Sequence, residues 1–214
     1  MVLNRDLEDY LLNHVDSEDE ILAELNRQTH LKVVHPRMLS GHLQGTLLKM
    51  ISHMIRPEMI LEIGTYTGYS AICLTEGLQS NGKLHTIEIM DELHDFPIPY
   101  WEKAGIKDKI VQHTGDALEI IPSLPYLFDL VFIDGEKKQY NQYFEVSLSK
   151  LKPGGFILID NILWGGKVIG SDYNDVTTRI IREFNDKIAH DKRIQKTILP
   201  VRDGLFLLRK NNIK

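Results

Sequence analysis

The chain has very little cysteine and no long apolar run. Its 214 residues include one cysteine, Cys73, which excludes an internal disulfide framework and is typical of a reducing compartment. No apolar segment approaches the roughly 18 residues that a membrane-spanning helix needs. The first ten residues carry acids and lack the apolar stretch of a secretory signal. We therefore expect a cytoplasmic protein with no membrane partner, in which Cys73 is a small buried side chain on a helix.

The chain also lacks an excess of basic residues. It has 25 lysines and arginines against 30 acids, which gives a formal net charge of −5. Because phosphate binding needs concentrated positive charge, we do not expect nucleic acid as a partner. The longest basic cluster, residues 187–196, is diluted by Asp191 and Ile194, and we interpret it as a solvated helix end and loop. The apolar content of 43% is typical of a globular domain of this length.

Residues 1–56 read as amphipathic helices. Ser17 followed by Glu20 matches a capping box, which predicts a helix start at that point. The helical pattern breaks at Pro36 and resumes through Ile55. Apolar side chains that can pack on the sheet or on a neighbouring chain are Leu7, Tyr10, Leu11, Ile21, Leu22 and Leu25.

From Pro57 onward, apolar runs alternate with helical stretches, which is typical of a parallel sheet covered on both faces. A long helix is predicted near residues 173–189. The two runs after it are separated only by V-R-D-G, which is too short for a parallel crossover and predicts an antiparallel hairpin. The sequence thus predicts an α/β fold, with a Rossmann-like, mostly parallel seven-stranded sheet and an antiparallel C-terminal hairpin. We expect one domain, 1–214, in which an N-terminal helical extension (1–56) packs on the core (57–214).

Acidic residues stand at or near the ends of five consecutive predicted strands. Ligands bind at the carboxyl ends of the strands in open parallel sheets. Five acids in five strands are hard to explain as solvated turns, so we predict a ligand site at this edge of the sheet. These residues are Glu62, Glu88, Asp116, Asp134 and Asp160.

The first strand leads into E-I-G-T-Y-T-G-Y-S, which runs from Glu62 to Ser70. The lysine of a P-loop is missing, and Tyr66 stands where the dinucleotide fingerprint needs its second glycine. What remains is the pattern E-x-G-x-x-x-G-x-S. Its glycines permit close backbone approach, Ser70 can donate to a carboxylate, and Glu62 can accept from an ammonium group. An amino-acid end therefore fits this loop better than a phosphate does.

Glu88, at the end of the second strand, is placed to accept from a ribose diol. A ligand that joins an amino acid to a nucleoside is S-adenosylmethionine. The loop alone leaves a tight turn without a ligand equally open. Together with Glu88 and the later T-G-D-A at residues 114–117, it favours S-adenosylmethionine as the cofactor.

A second group of polar residues follows the fourth and fifth strands. Asp134 ends F-I-D, and Asp160 with Asn161 ends L-I-D-N, with no cysteine or histidine in either motif. Oxygen ligands of this kind suit Mg²⁺, with Mn²⁺ or Ca²⁺ as substitutes. Lys137 follows Asp134 by three residues, and its amine can face the same pocket. The alternative interpretation is a capping Asp–Asn pair beside a surface lysine.

These motifs together resemble those of the metal-dependent catechol and caffeoyl-CoA O-methyltransferase family, within the class I S-adenosylmethionine-dependent methyltransferases. The likeness extends roughly from Val33 to the C-terminal hairpin. It implies a homodimer, and metal binding by Asp134, Asp160 and Asn161. The cofactor contacts that it implies are Val34, Glu62, Gly64, Thr65, Tyr66, Ser70, Glu88, Ala117 and Asp134.

The resemblance implies methyl transfer to a catechol-like phenolic small molecule with two neighbouring hydroxyl groups. The metal would bind both hydroxyl oxygens, Lys137 would act as general base, and Trp164 would form an aromatic wall, against an alternative of plain core packing. Gly165 stands where bacterial relatives often carry Asp. Two other functions remain open at this point, namely methylation of a hydroxylated tRNA base and cofactor binding without catalysis.

Overall fold

The strands form a single seven-stranded sheet. The computed structural model describes residues 5–170 and 172–212. The strands are β1 (Met59–Ile63), β2 (Lys83–Glu88), β3 (Ile110–Thr114), β4 (Phe128–Ile133), β5 (Leu151–Ile159), β6 (Ile194–Leu199) and β7 (Leu205–Lys210). Their order is β3-β2-β1-β4-β5-β7-β6, and β7 is antiparallel to both of its neighbours. The predicted Rossmann-like sheet with an antiparallel C-terminal hairpin is confirmed.

Helices cover both faces of the sheet. They are α1 (Arg5–Leu12), α2 (Glu20–Lys32), α3 (Gly41–Ile55), α4 (Tyr69–Thr75), α5 (Ile98–Lys103), α6 (Ala117–Ser123), α7 (Tyr140–Lys150) and α8 (Val176–His190). Short 3₁₀ turns lie at Pro36–Met38, Asp91–Leu93, Lys107–Lys109, Lys137–Gln139 and Trp164–Gly166. None of the helices in the described ranges combines the length and the apolar character that crossing a bilayer requires.

The central strand β4 is almost entirely apolar because each face of the sheet has its own core. In β4, Val131 and Ile133 pack into the core formed with α6, α7 and α8. Leu130 and Phe132 point the other way, into the core formed with α2, α3, α4 and α5. Burial on both faces explains why the sequence shows continuous apolar runs rather than an alternating pattern.

Helix α3 lies unusually close to α4. A Cβ atom on Gly45 would lie 2.7 Å from the Tyr69 ring and 2.9 Å from the Cys73 sulfur, so only glycine allows this approach. Ser52 of α3 donates a hydrogen bond to the Leu74 carbonyl oxygen at 2.6 Å. Cys73 is buried, as expected. These contacts fix α3, from the N-terminal part of the chain, on the α/β core.

Two predicted helix starts are wrong, and the reason is the same for both. Helix α2 begins after Asp19, whose carboxylate accepts from the Ile21 N–H at 2.9 Å, and not at the Ser17 capping box. Helix α8 begins at Val176 rather than near residue 173, because Asp175 accepts from the Thr178 N–H at 3.0 Å. In each case an aspartate nearer to the helix supplies the cap.

Candidate active site

A cavity of about 1190 Å³ opens at the carboxyl ends of the parallel strands. The structure brings almost all of the predicted site residues together around it. Those that line the cavity are Val34, Gly64, Thr65, Tyr66, Ser70, Glu88, Ala117, Asp134, Lys137, Asp160, Asn161 and Trp164. Two predicted acids do not line it. Glu62 is fully buried beneath the loop. Asp116 caps α6 instead, since its carboxylate accepts from the Leu118 N–H at 2.8 Å.

Glu62 supports the loop after β1 from below. Its Oε1 accepts from the Ser70 hydroxyl and its Oε2 accepts from the Thr86 hydroxyl, both at 2.6 Å. Burial raises the pKa of Glu62 to about 7, and the two hydrogen bonds oppose that shift without cancelling it. Ser70 therefore donates to a carboxylate as predicted, but the carboxylate belongs to the protein.

Glu88 organises the upper side of the same loop. One carboxylate oxygen accepts from the Tyr66 N–H at 2.7 Å, and the other accepts from the N–H groups of Ile89 and Met90 at 2.9 and 3.0 Å. Tyr66 has a positive φ of 49°, which turns its N–H toward Glu88. A Cβ atom on Gly64 would lie 2.4 Å from the Asp134 carbonyl oxygen, so glycine is needed where the two loops meet.

Asp134 and Lys137 form an ion pair at the cavity wall. The Lys137 amine lies 2.9 Å from Asp134 Oδ1 and also donates to the Gly135 carbonyl oxygen at 3.2 Å. The amine stands 5.3 Å from the centre of the Tyr140 ring. Both members of the pair are mostly shielded from solvent. The amine thus lies beside Asp134, as its spacing of three residues predicts.

Asp160 is buried and is held by neutral donors. Its Oδ1 accepts from the Asn161 N–H at 2.7 Å, and its Oδ2 accepts from the Gln44 amide at 2.8 Å. Burial, followed by the nearby charge of Asp134, raises the pKa of Asp160 above its usual range. Asn161 adopts a left-handed conformation with φ of 59°, which asparagine tolerates better than most residues.

The donors at these strand ends fit a hard divalent cation. Asp134, Asp160 and Asn161 supply only carboxylate and amide oxygens, which Mg²⁺ and Ca²⁺ prefer. The two carboxylates repel each other, since the charge of Asp134 raises the pKa of Asp160. A cation between them would relieve that repulsion. Within residues 5–170 and 172–212, no group of three or more His, Cys, Asp or Glu side chains offers a competing metal site.

Trp164 lies in a strained turn at the cavity wall. It has a positive φ of 48°, and it is followed by Gly165 and Gly166 with φ of 62° and 78°. The Lys167 amine stands 5.9 Å from the centre of the Trp164 ring. The buried indole N–H finds no hydrogen-bond partner among the described residues. Three successive residues with positive φ thus form the tight turn that carries Trp164 at the cavity wall.

Two functional candidates escaped the sequence reasoning, Gln44 and Arg202. Gln44 reaches Asp160 across 116 residues of chain, and Arg202, in the turn between β6 and β7, lines the cavity. Neither belongs to a motif. Sequence reasoning could have suspected this region only from Gly45, the neighbour of Gln44, because a glycine inside a helix often marks a close packing contact.

Proteins of known structure are similar to this chain in fold and in sequence. The O-methyltransferase TomG from Streptomyces achromogenes, solved in complex with SAM, superposes with a TM-score of 0.88 at 30% identity, covering 97% of this chain and 96% of that one. An O-methyltransferase from Bacillus cereus, solved in complex with SAH, superposes with a TM-score of 0.88 at 29% identity, covering 96% of this chain and 97% of that one. The fold is therefore that of the class I S-adenosylmethionine-dependent methyltransferases.

The sequence comparisons define the family. The family model described as O-methyltransferase matches residues 13–211. A probable caffeoyl-CoA O-methyltransferase 2 of Dictyostelium discoideum is 30% identical over 98% of this chain and 93% of that protein. Caffeoyl-CoA O-methyltransferase 1 of Eucalyptus globulus is 33% identical over 90% of this chain and 82% of that protein. The chain belongs to the O-methyltransferase family and is an O-methyltransferase, which confirms the predicted family and enzyme class.

The raised pKa of Glu62 makes a testable contribution to stability. Because the folded-state pKa is about 7 against an ordinary 4.5, the folded protein keeps a proton that the unfolded chain loses between these values. The contribution of protonated Glu62 to the free energy of unfolding is fully present below pH 4.5 and is lost as the pH rises to about 7. We expect Glu62→Gln to remove a slope of up to about 1.4 kcal/mol per pH unit in this window.

Urea unfolding of both proteins from about pH 5 to about pH 8 measures this slope. Glu119→Gln is the matched control, because it removes the same formal charge from an exposed site on α6 and should leave the slope unchanged. Equal slopes in the wild type and in Glu62→Gln would show that burial of Glu62 does not control this part of the pH dependence.

Proposed function

We propose that the protein is an S-adenosylmethionine-dependent and divalent-metal-dependent O-methyltransferase, which acts on catechol-like or other small molecules with neighbouring hydroxyl groups. One observation carries the proposal. A single cavity is lined by the glycine loop with Glu88 and by the group formed by Asp134, Asp160, Asn161 and Lys137. A methyl donor and an oxygen acceptor could therefore bind side by side.

The cofactor assignment rests on the loop after β1. Glu88 uses its oxygens to hold the loop backbone, and Oε2, which accepts only from the Tyr66 N–H, retains a lone pair for a ribose hydroxyl. Gly64 and Thr65 offer backbone and a small side chain at the cavity wall. The relatives from Streptomyces and Bacillus, solved with SAM and SAH, support this placement by analogy. We place Glu62 below the loop, where it orients Ser70.

Asp134, Asp160 and Asn161 would hold the cation, which we take to be Mg²⁺, with Mn²⁺ or Ca²⁺ as substitutes. When bound, it would supply Lewis-acid polarisation of the acceptor oxygens and would orient them. The Asp134–Lys137 ion pair holds the amine within reach of the same point. We propose that Lys137, in its neutral amine form, accepts the proton of the hydroxyl group to be methylated, and that the positive charge of the bound cation favours this neutral form. Trp164 would stack on the acceptor ring.

Methylation of a hydroxylated tRNA base is the second candidate. The exposed side chains of Arg37 and Lys138 lie at the cavity and could meet phosphate groups. The net charge of −5 weighs against a large nucleic-acid surface. A screen of phenolic and tRNA acceptors with labelled S-adenosylmethionine, with and without chelator, separates the two candidates.

We further propose a homodimer that works in the cytoplasm. On α1, Tyr10 is 59% exposed, and on α3, Met54 is 72% exposed, so apolar side chains on the N-terminal helices face outward. We expect light scattering at micromolar concentration to give twice the mass of one chain, and Tyr10→Glu to shift the protein toward monomer. A wild-type protein with the mass of a single chain would contradict this assembly.

Loss of a metal ligand should separate methyl transfer from cofactor binding. We expect Asp160→Ala and Asn161→Ala to abolish or greatly reduce methyl transfer, because both residues directly follow β5, on the side of the cavity that we assign to the acceptor. Affinity for S-adenosylmethionine should stay nearly intact by calorimetry, since the cofactor loop follows β1. If chelator leaves the wild-type rate unchanged, or if Asp160→Ala keeps full activity, the metal assignment is wrong.

Loss of the proposed base should behave differently. We expect Lys137→Ala to keep acceptor binding and to lose about 10²–10⁴-fold in rate. Raising the pH should partly restore this variant, because solvent can then take the proton, and should not restore Asp160→Ala. Lys187→Ala is the control, since Lys187 also pairs with a carboxylate, Glu145 at 2.6 Å, but does not line the cavity. A Lys137→Ala rate equal to that of this control would rule out a catalytic lysine.

A further inference from the structure

Gln44 connects the N-terminal helices to the proposed cation site. It lies on α3, is only 2% exposed and does not line the cavity. Its amide nitrogen donates to Asp160 Oδ2 at 2.8 Å. The opposite oxygen, Oδ1, accepts from the Asn161 N–H, so both oxygens of Asp160 are oriented by fixed donors. The direction in which this carboxylate points is thus set in part by a helix far away in sequence.

Arg202 lies on the opposite side of the Gln44 amide from Asp160. The Arg202 guanidinium lies 3.5 Å from Gln44 Oε1 and also donates to the backbone carbonyl oxygens of Leu39 and Ser40. A guanidinium has no acceptor, so only the oxygen of the amide can face it. The NH₂ group must then face Asp160. The orientation of Gln44 follows from its two neighbours.

The close packing of α3 against α4 limits the movement of Gln44. Gly45, the next residue, brings the helix against Tyr69 and Cys73 so closely that a Cβ atom there would clash. Because the backbone is held on one side by α4 and on the other by Arg202, the Gln44 side chain has little freedom to move away. A rigid support is what a coordinating carboxylate needs.

We propose that Gln44 is a positioning residue, which holds Asp160 in the orientation required for cation binding while Arg202 fixes Gln44. This inference rests on the proposed metal-dependent function. A neutral amide donor suits the task, because it orients the carboxylate without adding a positive charge that competes with a cation. Asp134 differs, since its partner Lys137 is cationic.

The test is direct binding of Mn²⁺ to the full chain, measured by calorimetry and by electron paramagnetic resonance. We expect Gln44→Met, which has similar length but no donor, to bind Mn²⁺ about 10–100-fold more weakly. Affinity for S-adenosylmethionine should not change. Methyl transfer should recover as the Mn²⁺ concentration rises, whereas a misfolded site would not respond.

Ser52→Ala is the matched control on the same helix. It removes another buried hydrogen bond, to the Leu74 carbonyl oxygen, on the side of α3 that packs on α4. We expect it to lower stability and to leave Mn²⁺ affinity as in the wild type. Equal loss of Mn²⁺ affinity in Ser52→Ala and Gln44→Met would overturn the positioning role, because general loosening of α3 would then explain both.

Arg202→Met tests the second link and remains informative if Gln44→Met does not fold. Removing a positive charge near the site should strengthen Mn²⁺ binding if charge alone matters. The positioning role predicts the opposite, a weaker affinity, and stronger binding would overturn it.

If the wild type binds no Mn²⁺, the proposed metal dependence fails as well. If the wild type binds Mn²⁺ and Gln44→Met binds it equally well, only the role of Gln44 is wrong.

Discussion

The gathering of carboxylates at one edge of the sheet is the constraint on which the site depends. Parallel strands bring their carboxyl ends together, so acids that follow different strands become neighbours whose charges repel. Each must then be held by a donor of its own. The structure supplies a different kind of donor in each place: hydroxyl groups for Glu62, backbone N–H groups for Glu88, an amine for Asp134 and an amide with a backbone N–H for Asp160.

The N-terminal helices also supply donors and contacts at this edge of the sheet. Besides Gln44, they contribute a buried hydrogen bond between Thr29 and Thr67 at 3.1 Å, which ties α2 to the loop after β1. Tyr69, at the start of α4, donates to Glu18 at 2.6 Å. The loop after β1 and the Asp160 carboxylate are thus both held by contacts from the same part of the chain. The helices before the sheet therefore shape the site as well as cover the core.

The sequence predicted the features that depend on neighbours along the chain or on strand order. The continuous run around Val131 indicates a strand buried on both faces, and residues that follow such strands must meet at one edge. Contacts between distant elements left no comparable signal. Gln44 looks like any polar residue in a helix until α3 is placed against β5. Glu62 illustrates a different limit, since the pattern places it in the loop but only the turn geometry decides that its carboxylate points down, toward Thr86.

The contrast between Asp134 and Asp160 has a chemical consequence. Asp160 accepts only from neutral groups that are fixed by the surrounding structure, so no cationic side chain competes for its oxygens through a hydrogen bond. Asp134 shares its charge with Lys137, whose side chain is long and is held by two hydrogen bonds at its tip. Any group that binds to the Asp134 carboxylate weakens its ion pair with the Lys137 amine. The site therefore pairs one carboxylate that neutral donors hold in a fixed orientation with another whose partner is the amine of a lysine.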